Sequence, residues 1–173
     1  GSGTGATTDV VLEMLKEKQQ KPSEYLYTDI SKFFLNKAME RYEDTPYINF
    51  KVLNLDEEIR EEKMDYIIAN GVLNNVSNLK KTLSNLSKLL TEEGQLFIVE
   101  PARESLEILI SQAFMMSDTE DVREEQNQTF MDYEQWKAVL EDSGLVLRLV
   151  YPREDSPMEV FGQKLYIAGR RKE

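Results

Sequence analysis

Nearly all the chemistry open to this sequence rests on one glycine loop, one strand-end acid and a spaced set of amides and carboxylates. The chain opens Gly1-Ser2-Gly3-Thr4-Gly5-Ala6-Thr7-Thr8. Glycines at positions 1, 3 and 5 let a backbone turn tightly and approach a ligand without a Cβ collision. A helix following the loop would aim its free amides at that ligand. The same letters satisfy G-x-G-x-x-A, the dinucleotide fingerprint, so the loop alone leaves two classes of nucleoside cofactor open. Asp29 ends the segment Glu24-Tyr25-Leu26-Tyr27-Thr28-Asp29. An acid leaving the second strand of a doubly wound sheet is placed to accept ribose hydroxyls, and its alternative is a cap for the helix that starts near Ser31.

Further along, Asn54 and Leu55 follow a third strand, where the amide can bond an adenine edge and the leucine can pack on the ring. Asn54 also fits a plain strand-ending turn. Asn70, Gly71, Asn74 and Asn75 cluster after a fourth strand, at the carboxyl edge where ligands bind in such sheets. Amides there can hold a substrate carbonyl or a cofactor carboxylate without titrating, and Asn74 or Asn75 can equally start the next helix. Glu100, before Pro101, points to the same edge as a candidate base, or as an acid paired with Arg103.

Composition removes other chemistries. With no cysteine and no histidine, there is no thiolate nucleophile, no Ser–His–Asp triad and no imidazole or thiolate metal ligand, and no metal is expected. A net charge of −11, with no basic stripe, argues against nucleic acid as a partner. The acidic stretch from Ser117 lacks the glycine and oxygen spacing of a calcium loop. No apolar run reaches the roughly 18–20 residues of a membrane span and no signal peptide opens the chain, so no membrane partner and a cytoplasmic setting are expected.

The elements that must position these residues alternate. Helical spacing covers 9–18, with Thr7 or Thr8 as its cap, and 31–42, with Phe34, Leu35, Ala38 and Met39 on one side. Strands are expected at 24–29, 47–53, 65–70 and 95–101. The strongest helical pattern runs from Asn75 to Leu90 through Val76, Leu79, Leu83 and Leu86, with Glu93-Gly94 ending it. Residues 104–116 read as a helix, 117–129 as a flexible acidic insertion, and 133–143 as a helix stopped by Gly144. Two final strands, 145–151 and 164–168, form an antiparallel hairpin. Trp136, Met115-Met116 and Phe33-Phe34 are expected in the core. The pattern is an α/β sandwich with a mostly parallel sheet and a C-terminal antiparallel hairpin. A nucleotide loop should follow a strand, so the first strand is expected to precede residue 1.

Taken together, these residues resemble the class I methyltransferase domains of nonribosomal peptide synthetases and polyketide synthases. Gly1–Thr8 resembles the first motif of that family, Tyr25–Ala38 the strand and helix after it, and Asp65–Pro101 the fourth and fifth motifs. Gln128–Gly144 and Phe161–Ala168 resemble the inserts of siderophore synthetases of the pyochelin and yersiniabactin type. The resemblance implies a Rossmann-like class I fold, one N-terminally truncated domain over 1–173, and S-adenosylmethionine as cofactor. It implies Gly1, Gly3, Gly5, Asp29, Asn54, Leu55 and Asn70 as cofactor-binding residues, with Asn74 and Glu100 facing the methyl acceptor. It further implies a substrate tethered to a carrier protein's phosphopantetheine and a neighbouring adenylation domain. Many polyketide C-methyltransferases have a His where this chain has Asn74, so a His-based proton abstraction does not carry over. Many relatives also have an Asp where Asn54 stands. The competing readings are a repurposed, non-catalytic domain and a free-standing small-molecule methyltransferase.

Overall fold

The computed structural model describes residues 1–104, 106, 109–110, 118–153 and 155–171. The helix expected over 104–116 and Met115-Met116 lie largely outside these residues. The chain divides into two compact units, Gly1–Asn54 and Leu55–Glu173.

In the first unit, α1 (Ala6–Glu17) leads through a turn at Lys21-Pro22-Ser23 into β1 (Tyr25–Asp29), α2 (Lys32–Arg41) and β2 (Ile48–Val52). β1 and β2 pair in parallel, Tyr25 opposite Ile48 and Asp29 opposite Val52, as a strand–helix–strand crossover requires. The core is small and aromatic: Tyr27, Leu35, Ala38, Tyr42 and Ile48 are buried. Two expectations change. The residue capping α1 is Gly5, at φ 85°, not Thr7 or Thr8; Thr8 is buried, its hydroxyl 3.0 Å from that of Tyr25. Phe33 and Met39 are exposed, because α2 turns only its Leu35–Ala38 stripe to the core.

The second unit carries β3 (Met64–Asn70), a 3-10 turn (Leu73–Asn75), α3 (Leu79–Leu89) and β4 (Leu90–Pro101). These are followed by a single helical turn α4 (Val122–Glu125), α5 (Tyr133–Asp142), β5 (Leu145–Tyr151), a second 3-10 turn (Pro157–Phe161) and β6 (Gln163–Arg170). Strand order is β3-β4-β6-β5. β3 and β4 are parallel, while β6 is antiparallel to both β4 and β5. The sheet here is therefore mixed, with the expected C-terminal antiparallel hairpin, β5–β6, joined to the parallel pair through β6. Leu79, Leu83 and Leu86 of α3 pack with Trp136 and Leu140 of α5 over Leu96, Ile98, Tyr166 and Ala168. Trp136 is thus a core residue, stacked on Tyr166 at 5.4 Å.

Helix α3 begins later than its apolar spacing suggests. Asn78 caps it, its side chain accepting from the Lys81 amide at 3.0 Å, and residues 73–75 form a separate turn. Neither Asn74 nor Asn75 starts the helix. Gly94 lies inside β4 instead of ending a helix: a Cβ there would sit 3.0–3.1 Å from Thr91, Leu90 and Met64 atoms. Residues 118–129 are also not a loose acidic arm, since Arg123 within them is completely buried. Hydropathy could not reveal this, because it scores charged residues as solvent-facing.

Candidate functional site

In the first unit the glycine loop is fixed by hydrogen bonds from its own sheet and helix. The Gly3 amide donates to Asp29 Oδ2 at 2.8 Å, and the Ser31 amide donates to Asp29 Oδ1 at 2.8 Å. Asp29 therefore ties the loop to the start of α2: it holds the Gly3 amide and the amide of Ser31, the residue that caps α2. Each carboxylate oxygen keeps a further lone pair for a ligand hydroxyl. The Ser2 amide donates to the Thr28 carbonyl at 2.8 Å, which ties the loop to the end of β1.

Three residues not foreseen from the sequence complete this clamp. The Tyr27 hydroxyl donates to the Gly3 carbonyl at 2.8 Å, and Arg41 Nη1 to the Thr4 carbonyl at 3.1 Å. The Tyr42 hydroxyl lies 2.8 Å from Asp9 Oδ1 and 3.2 Å from the Gly5 carbonyl, while Arg41 Nη2 pairs with Asp9. Burial, then the neighbouring Asp9, pushes the Tyr42 phenol well above its ordinary range, so it stays a donor. The signal available in sequence was the aromatic density of β1, which read only as strand propensity.

The two central glycines are used differently. Gly5, at φ 85°, has the Tyr42 hydroxyl 2.6 Å from where a Cβ would stand. Gly3, at φ 52°, has nothing among the described residues within 4 Å of that point. Gly5→Ala is therefore expected to cost about 1–3 kcal/mol in urea denaturation. Gly3→Ala is expected to cost about 1–2 kcal/mol, the penalty of a left-handed L-residue without a clash.

The second unit holds a second arrangement at the ends of β3 and β4. Glu100, only 1% exposed, accepts from the Val72 and Leu73 amides at Oε1 (2.8 and 2.7 Å) and from Asn74 Nδ2 at Oε2 (3.0 Å). It is neither a surface acid nor a partner of Arg103, whose guanidinium reaches the Val160 carbonyl. Burial drives the Glu100 carboxyl up to about 7, against the opposing pull of the bonds from Leu73, Val72 and Asn74. Asn74 is buried, and its Oδ1 has no hydrogen-bond partner among the described residues. Whichever way that amide is turned, one of its two polar atoms faces Glu100 and the other is left for something else. Asn70 ends β3 and is exposed, Gly71 (φ 64°) donates to the Val99 carbonyl at 2.9 Å, and Leu55 packs partly on the core. Asn54 ends the first unit and makes contacts of its own. Thus Gly3 meets Asp29 within one unit, and Asn74 meets Glu100 within the other. Among the described residues, no group of three or more Asp or Glu side chains is placed to hold a metal ion, and no helix is long and apolar enough to cross a membrane.

The chain matches the model of a methyltransferase domain over residues 1–96. It belongs to that family. Among curated relatives, pyochelin synthetase PchF of Pseudomonas aeruginosa is 32% identical over 175 residues, covering 97% of this chain and 10% of that protein. The highly reducing polyketide synthase ALT1 of Alternaria alternata is 33% identical over 172 residues, covering 92% of this chain and 6% of that protein. This methyltransferase chain therefore spans a tenth or less of those relatives. The crystal structure of the CurJ carbon methyltransferase superposes with a TM-score of 0.81 at 26% identity, over 99% of this chain and 47% of that one. The DszA carbon methyltransferase gives 0.78 at 29% identity, over 97% and 45%. The fold is the α/β class I methyltransferase fold.

Proposed function

We propose that residues 1–173 serve as one methyltransferase domain of a modular synthetase, using S-adenosylmethionine to methylate an intermediate tethered to a carrier protein. The observation that carries the cofactor assignment is the Gly3 amide bonded to Asp29 Oδ2, beside open space over the Gly3 Cα. A loop held by an acid at a strand end, with its bare glycine uncovered, fits a nucleoside whose ribose hydroxyls bond Asp29. When bound, the cofactor supplies an activated methyl group on a sulfonium. Gly1, Gly3, Gly5, Asp29, Asn54, Leu55 and Asn70 are assigned to the cofactor by the family resemblance. Asn74 and Glu100 are assigned to the methyl acceptor.

The protein's share of the reaction is alignment, where orientation can supply about 7–11 kcal/mol of barrier lowering. A secondary ring nitrogen, as in a thiazolidine, would present its own lone pair to that methyl group and would need no base of this chain beforehand. The nitrogen's proton then leaves to water. Asn74 Oδ1, buried and without a partner among the described residues, can receive that N–H before transfer. A carbon acceptor would first need a base. Glu100, at about 7, has a value suited to one, yet it is buried and turned inward on the Val72, Leu73 and Asn74 N–H groups. This favours nitrogen over carbon. The 32% identity to a pyochelin synthetase across 97% of the chain supports a thiazoline or thiazolidine intermediate of siderophore assembly, and an adenylation domain as neighbour.

Mass spectrometry of a loaded carrier protein, incubated with the domain and S-adenosylmethionine, is expected to show the gain of one methyl on nitrogen. Methyl on carbon would overturn the nitrogen assignment, and no gain despite cofactor binding would favour a repurposed domain. Gly3→Ala, which leaves the fold intact, is expected to weaken cofactor binding by about tenfold or more, since its methyl fills the open space over the loop.

A further inference from the structure

We propose that Arg123, held by Asp121, is a positioning residue that fixes the 72–76 turn and through it aims Asn74 at the methyl acceptor. The aiming rests on the function proposed above; the fixing does not.

A guanidinium keeps its charge at any ordinary pH, so complete burial must be matched bond by bond. Arg123 Nη1 donates to the Asn74 carbonyl and Nη2 to the Val76 carbonyl, both at 2.8 Å. Its Nε and Nη2 bond the two oxygens of Asp121, at 2.8 and 2.7 Å. Asp121 in turn accepts from the Leu79 amide, the first residue of α3, at 2.9 Å. The neighbouring backbone adds two ties: the Glu120 amide to the Ser77 carbonyl at 2.8 Å, and Asn78 Nδ2 to the Glu120 carbonyl at 3.2 Å.

The turn is thus gripped from both ends, by a carboxyl group and by a guanidinium. Glu100 takes the leading amides, of Val72 and Leu73, while Arg123 takes the trailing carbonyls, of Asn74 and Val76. That polarity matches the dipole of a short helical turn. A buried ion pair adds little stability over apolar packing of the same volume, because desolvation offsets the attraction. What it supplies here is direction: four short bonds set where the Asn74 backbone lies, and its side chain is then fixed by Glu100. Nothing in the local sequence, Asp118-Thr119-Glu120-Asp121-Val122-Arg123, separates this arginine from a surface charge.

The test compares the wild-type chain with Arg123→Met/Asp121→Asn, which removes both charges together, and with Arg123→Lys. In the folded double variant, amide exchange at Val72 and Leu73 is expected to rise by about tenfold or more while β4 amides keep their protection. The kcat for methyl transfer is expected to fall by about 100-fold, with KM for the carrier-bound acceptor moving less than about threefold. Arg123→Lys, which can still reach one carbonyl, should recover part of both. Unchanged exchange at 72–73 in a folded variant overturns the proposal. So does a loss of protection spread over the whole of 55–171 in both variants, which would mean a general role in stability. A wild-type chain that transfers no methyl group counts against the proposed function alone, and the exchange at Val72 and Leu73 still decides whether Arg123 fixes the turn.

Discussion

Asp29→Ala is expected to weaken S-adenosylmethionine binding by about 100-fold, measured by isothermal titration on the folded chain. The size follows from the bonds that the carboxylate makes. It holds the Gly3 amide at 2.8 Å and the Ser31 amide at 2.8 Å, both bonds to a charged acceptor in a site only 6% exposed. Bonds of that kind contribute about 1.5–3 kcal/mol each, and about 1.4 kcal/mol is a tenfold change in affinity. Without the carboxylate, the Gly3 amide loses the partner that sets the loop, and on the proposed function a ligand ribose loses its acceptor. Asp29→Asn separates these two losses. Its single oxygen can serve one amide, while its NH2 must face the other donor, so loop geometry is damaged although a polar group remains. An Asp29→Ala affinity within about twofold of wild type would remove the acid from the cofactor site.

Glu100→Gln is expected to change how stability depends on pH. Burial raises the Glu100 carboxyl from its ordinary 4.5 to about 7, so the native state keeps a proton that the unfolded chain has already released. Stability from this group is complete below pH 4.5 and is lost as pH rises through about 7. At 1.36 kcal/mol per unit, the loss amounts to about 3 kcal/mol for wild type. Glutamine has no proton to lose, and its Oε1 can keep the Val72 and Leu73 amides. Its Nε2 can donate to the Asn74 amide once that amide turns its unpartnered Oδ1 inward. Urea denaturation at pH 4.5 and pH 8 should therefore show Glu100→Gln gaining about 3 kcal/mol on wild type across that window. Parallel curves would mean that Glu100 titrates as an ordinary acid. The same variant tests the chemistry. If Glu100 holds the turn and takes no proton from the acceptor, kcat stays within about tenfold of wild type, whereas loss of a working base costs about 10²–10⁴-fold.

The parts of this protein legible in its sequence were those governed by short-range rules. The glycine loop, the strand ending in Asp29 and the crossover helix with leucines at 79, 83 and 86 all follow from spacing and turn chemistry, and each stands in the structure close to where it was expected. Glu100 and Asn74 were legible as residues at a strand edge, but their mutual bond was not, since they are separated by a whole helix and strand. The start of α3 was misplaced because apolar spacing at Val76 imitates a helical repeat, while the capping Asn78 and the Asp121 carboxylate define the true first turn.

By itself, then, the sequence determined the order of α and β elements, the place of the glycine loop and the exclusion of thiolate and imidazole chemistry, because each depends on residue type and near neighbours. Only the tertiary structure decided that Asp29 bonds the loop it follows by 26 positions, that Glu100 is turned inward on three N–H groups, and that an arginine in an acidic stretch is buried against the Asn74 backbone. The physical reason is the same in each case. A charge leaves water only when distant parts of the chain together supply enough partners to replace it, and no local window of sequence contains that set.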